Sequence, residues 1–415
     1  MTPELSPLPE EVNRAAGLLD ANGNPTETIF GVMTKFAAEH GAVNLGQGAP
    51  GIPAPERLLD AVDRAMRGGD NQYPPGQGRP DLIEAVCAQR QREYDHRIEP
   101  DQVLITVGAT QGLTSAIMAL LPRGGKLVTF EPFFDSYPAA VAMAGGAFAT
   151  VPLLPAEGSW QPDWDAFERE VEGASIILVN SPHNPTGTVF SAEALDRIYD
   201  AAERAGAWIL TDEVYEHLVF DEHLVFDEHE YQPFAARFPD SERIVSVSSA
   251  GKAFNITGWK IGWLIAAPRV RAACQAIQQY MTFAAGNPLQ AALAQAIGEG
   301  WSFPQENRDT LQHNREIIVR ALEDVPGLRV HAPQAGYFLL ADFSQLTDKD
   351  ATEVNDTLTR KVGVTGIPAP ALCRKGSETA KRFRSFIRFS FCKSTEEVED
   401  AAQRIRSNLD VFQNL

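Results

Sequence analysis

Lys252 has the most chemistry available to it of any residue in the chain. It follows a Ser-Ser-Ala-Gly turn at the end of the apolar run RIVSVSS (243–249), which sets its amine among small side chains at a strand end. Burial disfavours the ammonium, and an amine with a lowered pKa is the nucleophile that forms a Schiff base with a carbonyl. A second apolar run, AWILTD (207–212), ends in Asp212, with Glu213 and Tyr215 close behind. A carboxylate at the end of a buried strand needs a cation or several donors, because an isolated buried charge is costly. A plain Lys252–Asp212 salt bridge satisfies both residues as well as a catalytic pair does. Further along, Lys260 in TGWKIGW supplies a second positive charge, suited to a phosphate as a point charge.

Other strand ends carry weaker signals. VLITVGATQGLTSAIMAL places Gly108, Ala109 and Thr110 between a strand and a helix, whose free N–H groups and positive dipole end suit a phosphate. An ordinary strand-to-helix turn would use the same glycines. EPFFDSY sets Phe133 and Phe134 where one ring could cover a planar ligand, although core packing is the commoner fate. SIILVN ends in SPHNPTG, where Pro182 and Pro185 hold Asn184 in a rigid turn above Asn180. Arg388 interrupts the apolar run FRSFIRFSFC (383–392), and a buried guanidinium is normally paired with an anion. That anion is either a structural carboxylate or a substrate carboxylate gripped by two parallel hydrogen bonds.

These residues need a scaffold that gathers strand ends. Short runs that are apolar on both faces (103–107, 126–130, 175–180, 207–212, 243–249 and 262–267) alternate with helical periodicity at 56–67, 80–94, 111–121 and 192–205. That alternation predicts an α/β fold, a mainly parallel sheet with helices on both faces, and ligands at the carboxyl ends of its strands. After a helix at 308–324 come YFLLADF (337–343), the Arg388 strand and a last helix from about 395, which predict a smaller α+β domain. The expected division is an N-terminal arm with part of the small domain over 1–60, a large domain over 61–299 and the rest of the small domain over 300–415. Residues 1–25, with their prolines and ANGNP turn, read as a mobile or partner-clasping arm. GQGAPG (46–51) fits a dinucleotide-binding pattern, but Pro50, Pro53 and Pro55 prevent the helix such a site opens. The tandem EHLVFD at 216–221 and 222–227 is too short for a solenoid and reads as a lengthened loop or hairpin.

Composition excludes whole classes of partner. With 36 basic against 55 acidic residues and a net charge of −19, the chain has the wrong sign for nucleic acid or an anionic membrane. No run approaches the roughly eighteen continuous apolar residues of a spanning helix. The start, MTPELSPLPEEVNRAAGLLD, lacks the pattern of a signal peptide. Four dispersed cysteines predict neither a metal site nor disulfides, and a reducing, cytoplasmic setting follows.

VGATQG, EPFFDSY, NSPHNPTG, TDEVYEHLVF and SSAGKAFNITGWKIGW, followed by RFSF, resemble in order and spacing the fold-type-I, class I aminotransferases. The resemblance runs from about residue 26 to the C-terminus. GQG, NQYPPG, EPFFDSY and a lysine at 260 are most similar to the subgroup of kynurenine, glutamine and bacterial N-succinyldiaminopimelate aminotransferases. It implies the family's seven-stranded-type sheet, pyridoxal 5′-phosphate as cofactor, and ping-pong transfer from an amino acid to a 2-oxo acid such as 2-oxoglutarate. By this resemblance Lys252 carries the cofactor as a Schiff base and shuttles a proton, while Asp212 keeps the pyridine nitrogen protonated. Tyr215 and Asn184 hydrogen-bond the phenolic oxygen, and Phe134 stacks on the ring. Gly108, Ala109, Thr110, Ser249 and Lys260 form the phosphate cup. Tyr73 reaches the phosphate of a partner subunit, which implies a homodimer. Arg388 clamps the substrate carboxylate with Asn180, Asn184 and the backbone of Gly48, and Phe30 lies near the substrate side chain. Two departures stand out: GAPG (48–51) lacks the aspartate usual in that loop, and the duplication follows directly on Tyr215. The same lysine and electron sink would serve a carbon–sulfur β-lyase, and a cofactor-sensing regulator without catalysis is the rival of another class.

Overall fold

Runs rich in Val, Ile and Leu pair side by side because each has two apolar faces to hide. The structure, a computed structural model, describes residues 5–156, 159–220, 225–226 and 229–415. Its main sheet is built from β1 (Val103–Val107), β2 (Lys126–Glu131), β3 (Ala147–Ala156), β4 (Ser159–Pro162), β5 (Ala174–Asn180), β6 (Trp208–Asp212), β7 (Ile244–Ser249) and β8 (Ile261–Ile265). The order across the sheet is β1-β8-β7-β6-β5-β2-β3-β4. The four pairings from β7 through β6, β5 and β2 to β3 are parallel. Strand β8 runs antiparallel between β7 and β1, and β4 returns antiparallel along β3.

The count is therefore eight against the seven-stranded type expected, the extra strand being the short edge piece β4. Neither β3 nor β4 is evident from pattern. Pro152 and Pro155 interrupt the β3 run, and proline is tolerated there because the strand lies next to the sheet edge. Helices cover both faces as expected. Leu104, Leu178, Leu210 and Val247 pack under Gly108–Leu120, Ser136–Ala144 and Pro268–Met281. On the other face Phe130, Ile177, Val179 and Ile209 pack under Trp164–Val171 and Ala192–Ala205, and Ile105 and Trp263 under Glu56–Gly68, Pro80–Tyr94 and Asn287–Gly298.

A second, four-stranded antiparallel sheet holds β9 (Arg329–His331), β10 (Phe338–Asp342), β11 (Ile367–Pro368) and β12 (Phe386–Ser390), in the order β9-β10-β12-β11. Phe303–Glu323 and Thr395–Ser407 pack on it through Leu311, Ile318, Val398 and Ile405. Val43–Asn44 pairs in parallel with Val364–Thr365, so the N-terminal segment is threaded into this smaller unit. Residue 60, expected as a boundary, lies inside the single helix Glu56–Gly68, which packs on Asn287–Gly298.

The N-terminal arm is not structureless: Leu8–Ala15 is a helix lying against Ser136–Ala144, with no buried residue of its own. No helix follows GQGAPG until Glu56, as its prolines require. Of the tandem hexapeptide, Leu218, Val219 and Phe220 of the first copy are fully buried. In the second copy the backbone of Val225–Phe226 pairs with His229–Glu230, and its other residues lie outside the described residues. Among the described residues no helix is long and apolar enough to cross a membrane.

Candidate active site

Because β5, β6 and β7 are parallel, Asn180, Asp212 and Ser249 arrive at one edge of the sheet. The cleft above that edge is lined by Ala109, Thr110, Phe134, Asn180, Asn184, Asp212, Tyr215, Ser249, Lys252 and Lys260, all expected site residues. Leu113, Val214, Gly251 and Thr257 complete the lining without having been singled out.

Asp212 is 4% exposed, and Tyr137 donates its hydroxyl proton to Oδ2 at 2.6 Å. Burial raises the carboxyl to about 6, against the lowering effect of the Tyr137 bond. Lys252 sits on the one-turn helix Ala250–Ala253. Burial lowers its amine to about 8, opposed by the neighbouring Cys392 and Asp212. No Lys252–Asp212 salt bridge forms among the described residues. Instead Lys252 Nζ donates to Tyr337 Oη at 2.9 Å, and Tyr337 in turn donates to the carbonyl of Gly48 at 3.1 Å. Tyr215 is buried with its ring edge-on to Tyr337, and burial raises its phenol.

A cradle of free backbone N–H groups and Lys260, suited to an anion, lies elsewhere in the cleft. The N–H groups of Ala109 and Thr110 belong to the first turn of Gly108–Leu120, where helical partners are lacking. Gly108 has φ +71°, a left-handed conformation open to glycine. Gly262 opposite is equally constrained, since a Cβ there would meet the Ser248 carbonyl oxygen at 2.6 Å and Ala109 N at 3.0 Å. The hydroxyl of Ser249 caps the next turn by accepting from Gly251 N at 3.1 Å, and Lys260 reaches in beside Gly108.

Arg388 closes the third side. It is 2% exposed, and no carboxylate lies within salt-bridge distance of it among the described residues. Nη1 donates to Asn184 Oδ1 at 3.2 Å and Nη2 to the carbonyl of Gly46 at 2.7 Å, while Nε is buried without a partner. The guanidinium lies over the Phe338 ring at 3.9 Å and the Phe30 ring at 5.2 Å, and burial lowers it to about 10. The structural carboxylate that could have explained this arginine is therefore missing among the described residues. The backbone carbonyl beside it is that of Gly46, whereas Gly48 is engaged by Tyr337.

Two expected residues stand apart from the rest, the second of them, Tyr73, where a residue meant for a partner subunit would be. Asn180 lines the cleft, but its amide is spent on the backbone: it donates to the carbonyls of Pro182 (3.1 Å) and Asp212 (2.8 Å) and accepts from Asn184 N (2.7 Å). It braces Asn184. Tyr73 is 86% exposed, edge-on to Phe283, and does not line the cleft of its own chain. Of the two phenylalanines in EPFFDSY, Phe134 lines the cleft and Phe133 packs against Phe148. Tyr137 and Tyr337 carry no signal of their own in the sequence. Tyr137 is a motif residue indistinguishable from packing, and Tyr337 comes from the other unit.

The family model for aminotransferase class I and II matches residues 41–405. The chain belongs to this family. It is 39% identical over 384 residues to a probable N-succinyldiaminopimelate aminotransferase of Mycobacterium tuberculosis, covering 91% of this chain and 95% of that protein. A solved structure of the M. tuberculosis N-succinyldiaminopimelate aminotransferase superposes with a TM-score of 0.85, over 92% of this chain and 97% of that one. The methionine aminotransferase of Escherichia coli is 32% identical, covering 91% of this chain and 95% of its own length. Human kynurenine–oxoglutarate transaminase 3 is 34% identical, covering 90% and 87%. This aminotransferase thus transfers amino groups, and the lyase alternative gains no support from relatives named for transfer. Its cofactor is pyridoxal 5′-phosphate, and the cleft fits that molecule. The glycine cradle, Ser249 and Lys260 suit its phosphate, Phe134 suits its ring, and Asp212 suits its nitrogen.

Proposed function

We propose that Lys252 bonds the cofactor and moves the proton of the reaction, and that Asp212, held by Tyr137, faces the ring nitrogen with its negative charge. Pyridoxal phosphate, when bound, supplies a sink for the electron pair left on the substrate's Cα. Lys252 Nζ would take the proton from that carbon and deliver it to C4′ of the cofactor, and run the same shuttle backwards for the acceptor, a task suited to an amine lowered to about 8. Tyr215 and Asn184 donate to the oxygen substituent of the ring, with Asn180 bracing Asn184. Gly108, Ala109, Thr110, Ser249 and Lys260 hold the phosphate, and Arg388 binds the carboxylate common to amino acid and 2-oxo acid. Ping-pong transfer follows, because donor and acceptor carboxylates share one clamp. The observation that carries this reading is Arg388, a buried guanidinium that among the described residues has an unpartnered Nε and no carboxylate of its own. Replacing Arg388 by Ala should raise KM for donor and acceptor alike by roughly ten- to a hundredfold, the value of a charge-assisted hydrogen bond. An unchanged KM for both would refute the assignment.

For the donor, we favour an amino acid with a distal anionic group, of the N-succinyldiaminopimelate type, over the kynurenine or glutamine type. The relative at 39% identity supports it. So does a cavity lined by Phe30, Phe133 and Phe148 in which Arg14, Arg374 and Lys375 outnumber Glu27 and Asp135. Mixing the loaded enzyme with N-succinyldiaminopimelate, kynurenine, glutamine, methionine and glutamate, and following loss of the cofactor's absorbance band, should show the fastest change with the first. We further propose a homodimer in which Tyr73 serves the partner's site, supported by the exposure of Tyr73, Tyr280 and Phe283. A cytoplasmic location is in keeping with four free cysteines.

A further inference from the structure

Tyr337 has no part in the assignments above, yet among the described residues its oxygen is the sole hydrogen-bond partner of the Lys252 amine. A phenol has one proton to give and lone pairs to receive. The proton is directed at the Gly48 carbonyl at 3.1 Å, which leaves a lone pair facing Lys252 Nζ at 2.9 Å. The ring is fixed as firmly as the hydroxyl: it is 1% exposed and edge-on to Tyr215 at 5.3 Å. Gly48 can come this close because it has no side chain, since a Cβ would lie 2.9 Å from Tyr337 Cε2 and 2.5 Å from Phe338 Cζ. One hydroxyl therefore ties together three separate pieces of chain: the helix bearing Lys252, the loop before β10, and the N-terminal segment.

We propose that Tyr337 is a positioning residue for amino transfer, its oxygen receiving the Lys252 amine whenever that amine is not bonded to the cofactor. The proposal rests on the role of Lys252 given above. A lysine ammonium rides on a flexible four-carbon stem and is strongly hydrated. Left to itself it would turn toward water between one proton transfer and the next. Tied to Tyr337, it stays under the substrate and returns to one place in every cycle. Because Tyr337 and Gly48 are carried by the smaller unit and the segment threaded into it, the tie exists only while that unit is docked over the cleft.

The test uses the protein freed of cofactor, so that it does not depend on catalysis. Acetic anhydride acetylates only the neutral amine, and mass spectrometry of the Lys252 peptide across pH gives the midpoint of that one lysine. Asp212 and Cys392 face the amine and favour its charged form, Lys260 and Arg388 disfavour it, and the Tyr215 ring lies 5.7 Å away. Substituting Tyr337→Phe leaves these charges in place and removes one acceptor of the amine, together with the oxygen that interacts with the Tyr215 hydroxyl. Loss of a hydrogen bond to the ammonium favours the neutral amine, so the midpoint should fall by about one pH unit. In the loaded enzyme kcat should fall about tenfold with KM within about twofold, as for a group that acts only on the proton-transfer step. A midpoint that stays or rises would overturn the proposal. If Tyr337→Phe does not fold, 3-fluorotyrosine at position 337 keeps the ring and weakens the oxygen as acceptor, and a smaller fall is expected, its absence again being fatal. Should borohydride label a lysine other than Lys252, the cofactor assignment fails, while the acetylation midpoint still reports independently on the hydrogen bond.

Discussion

Burial moves Lys252 and Asp212 toward neutrality from opposite sides, the amine down to about 8 and the carboxyl up to about 6. The cofactor-free protein therefore holds two charges it would rather lose. For Lys252 the folded value lies below the unfolded one, so the unfolded chain binds more protons between about pH 8 and 10.5, and stability rises across that window. The penalty is fully present at pH 7. Cofactor-free Lys252→Met should consequently be more stable than the parent at pH 7 by about 1–3 kcal/mol, with the gap closing as pH passes through 8 to 10.5, as read by urea denaturation. Asp212→Asn removes the charge opposite the ring nitrogen and should lower kcat more than about a hundredfold, on the scale of losing one preorganised electrostatic partner. An effect under threefold would separate Asp212 from the chemistry. Lys252, Asp212 and Arg388 are legible in the sequence because each is a charge that breaks an apolar run. Tyr337 is not, since a tyrosine just before a strand is ordinary and its contact with Lys252 spans 85 positions.

Secondary-structure elements bring those charges together by ending at one sheet edge. Four of the five strands running in parallel from β7 to β3, namely β7, β6, β5 and β2, follow from alternating helical and apolar periods, which the sequence displays plainly. Strands β3 and β4 escape detection because Pro152 and Pro155 disguise the first and the second is only four residues long. Close approach of β8 to the first turn of Gly108–Leu120 depends on Gly262. Substituting Gly262→Ala should push the Ala109 amide away and weaken cofactor binding at least about tenfold, at a stability cost of about 1–3 kcal/mol typical of overpacking, measured by cofactor titration and thermal melting. Beneath the cleft, Arg90 from Pro80–Tyr94 is 2% exposed and meets Glu213 at 3.1 Å and Glu216 at 3.2 Å. This pairing anchors the segment that carries Tyr215. Arg90→Met leaves two buried carboxylates uncompensated and should cost about 3–5 kcal/mol in urea unfolding. A loss below 1 kcal/mol would mean the carboxylates find water instead.

Across the whole molecule, the smaller unit supplies Arg388, Tyr337 and, through the threaded N-terminal segment, Gly46 and Gly48, while the larger supplies the strand ends. That division is hard to read in a single sequence, because β10 and β12 are ordinary half-apolar strands until Arg388 is seen to cross the gap to Asn184. Cofactor attachment through one lysine is the claim on which the rest depends. It is tested most directly by reducing the loaded native protein with sodium borohydride, digesting it and locating the phosphopyridoxyl group by mass spectrometry. Label on Lys252 alone, lost together with turnover in Lys252→Met, is the expected result. Label on Lys260 or any other lysine, or turnover undiminished in Lys252→Met, would contradict it.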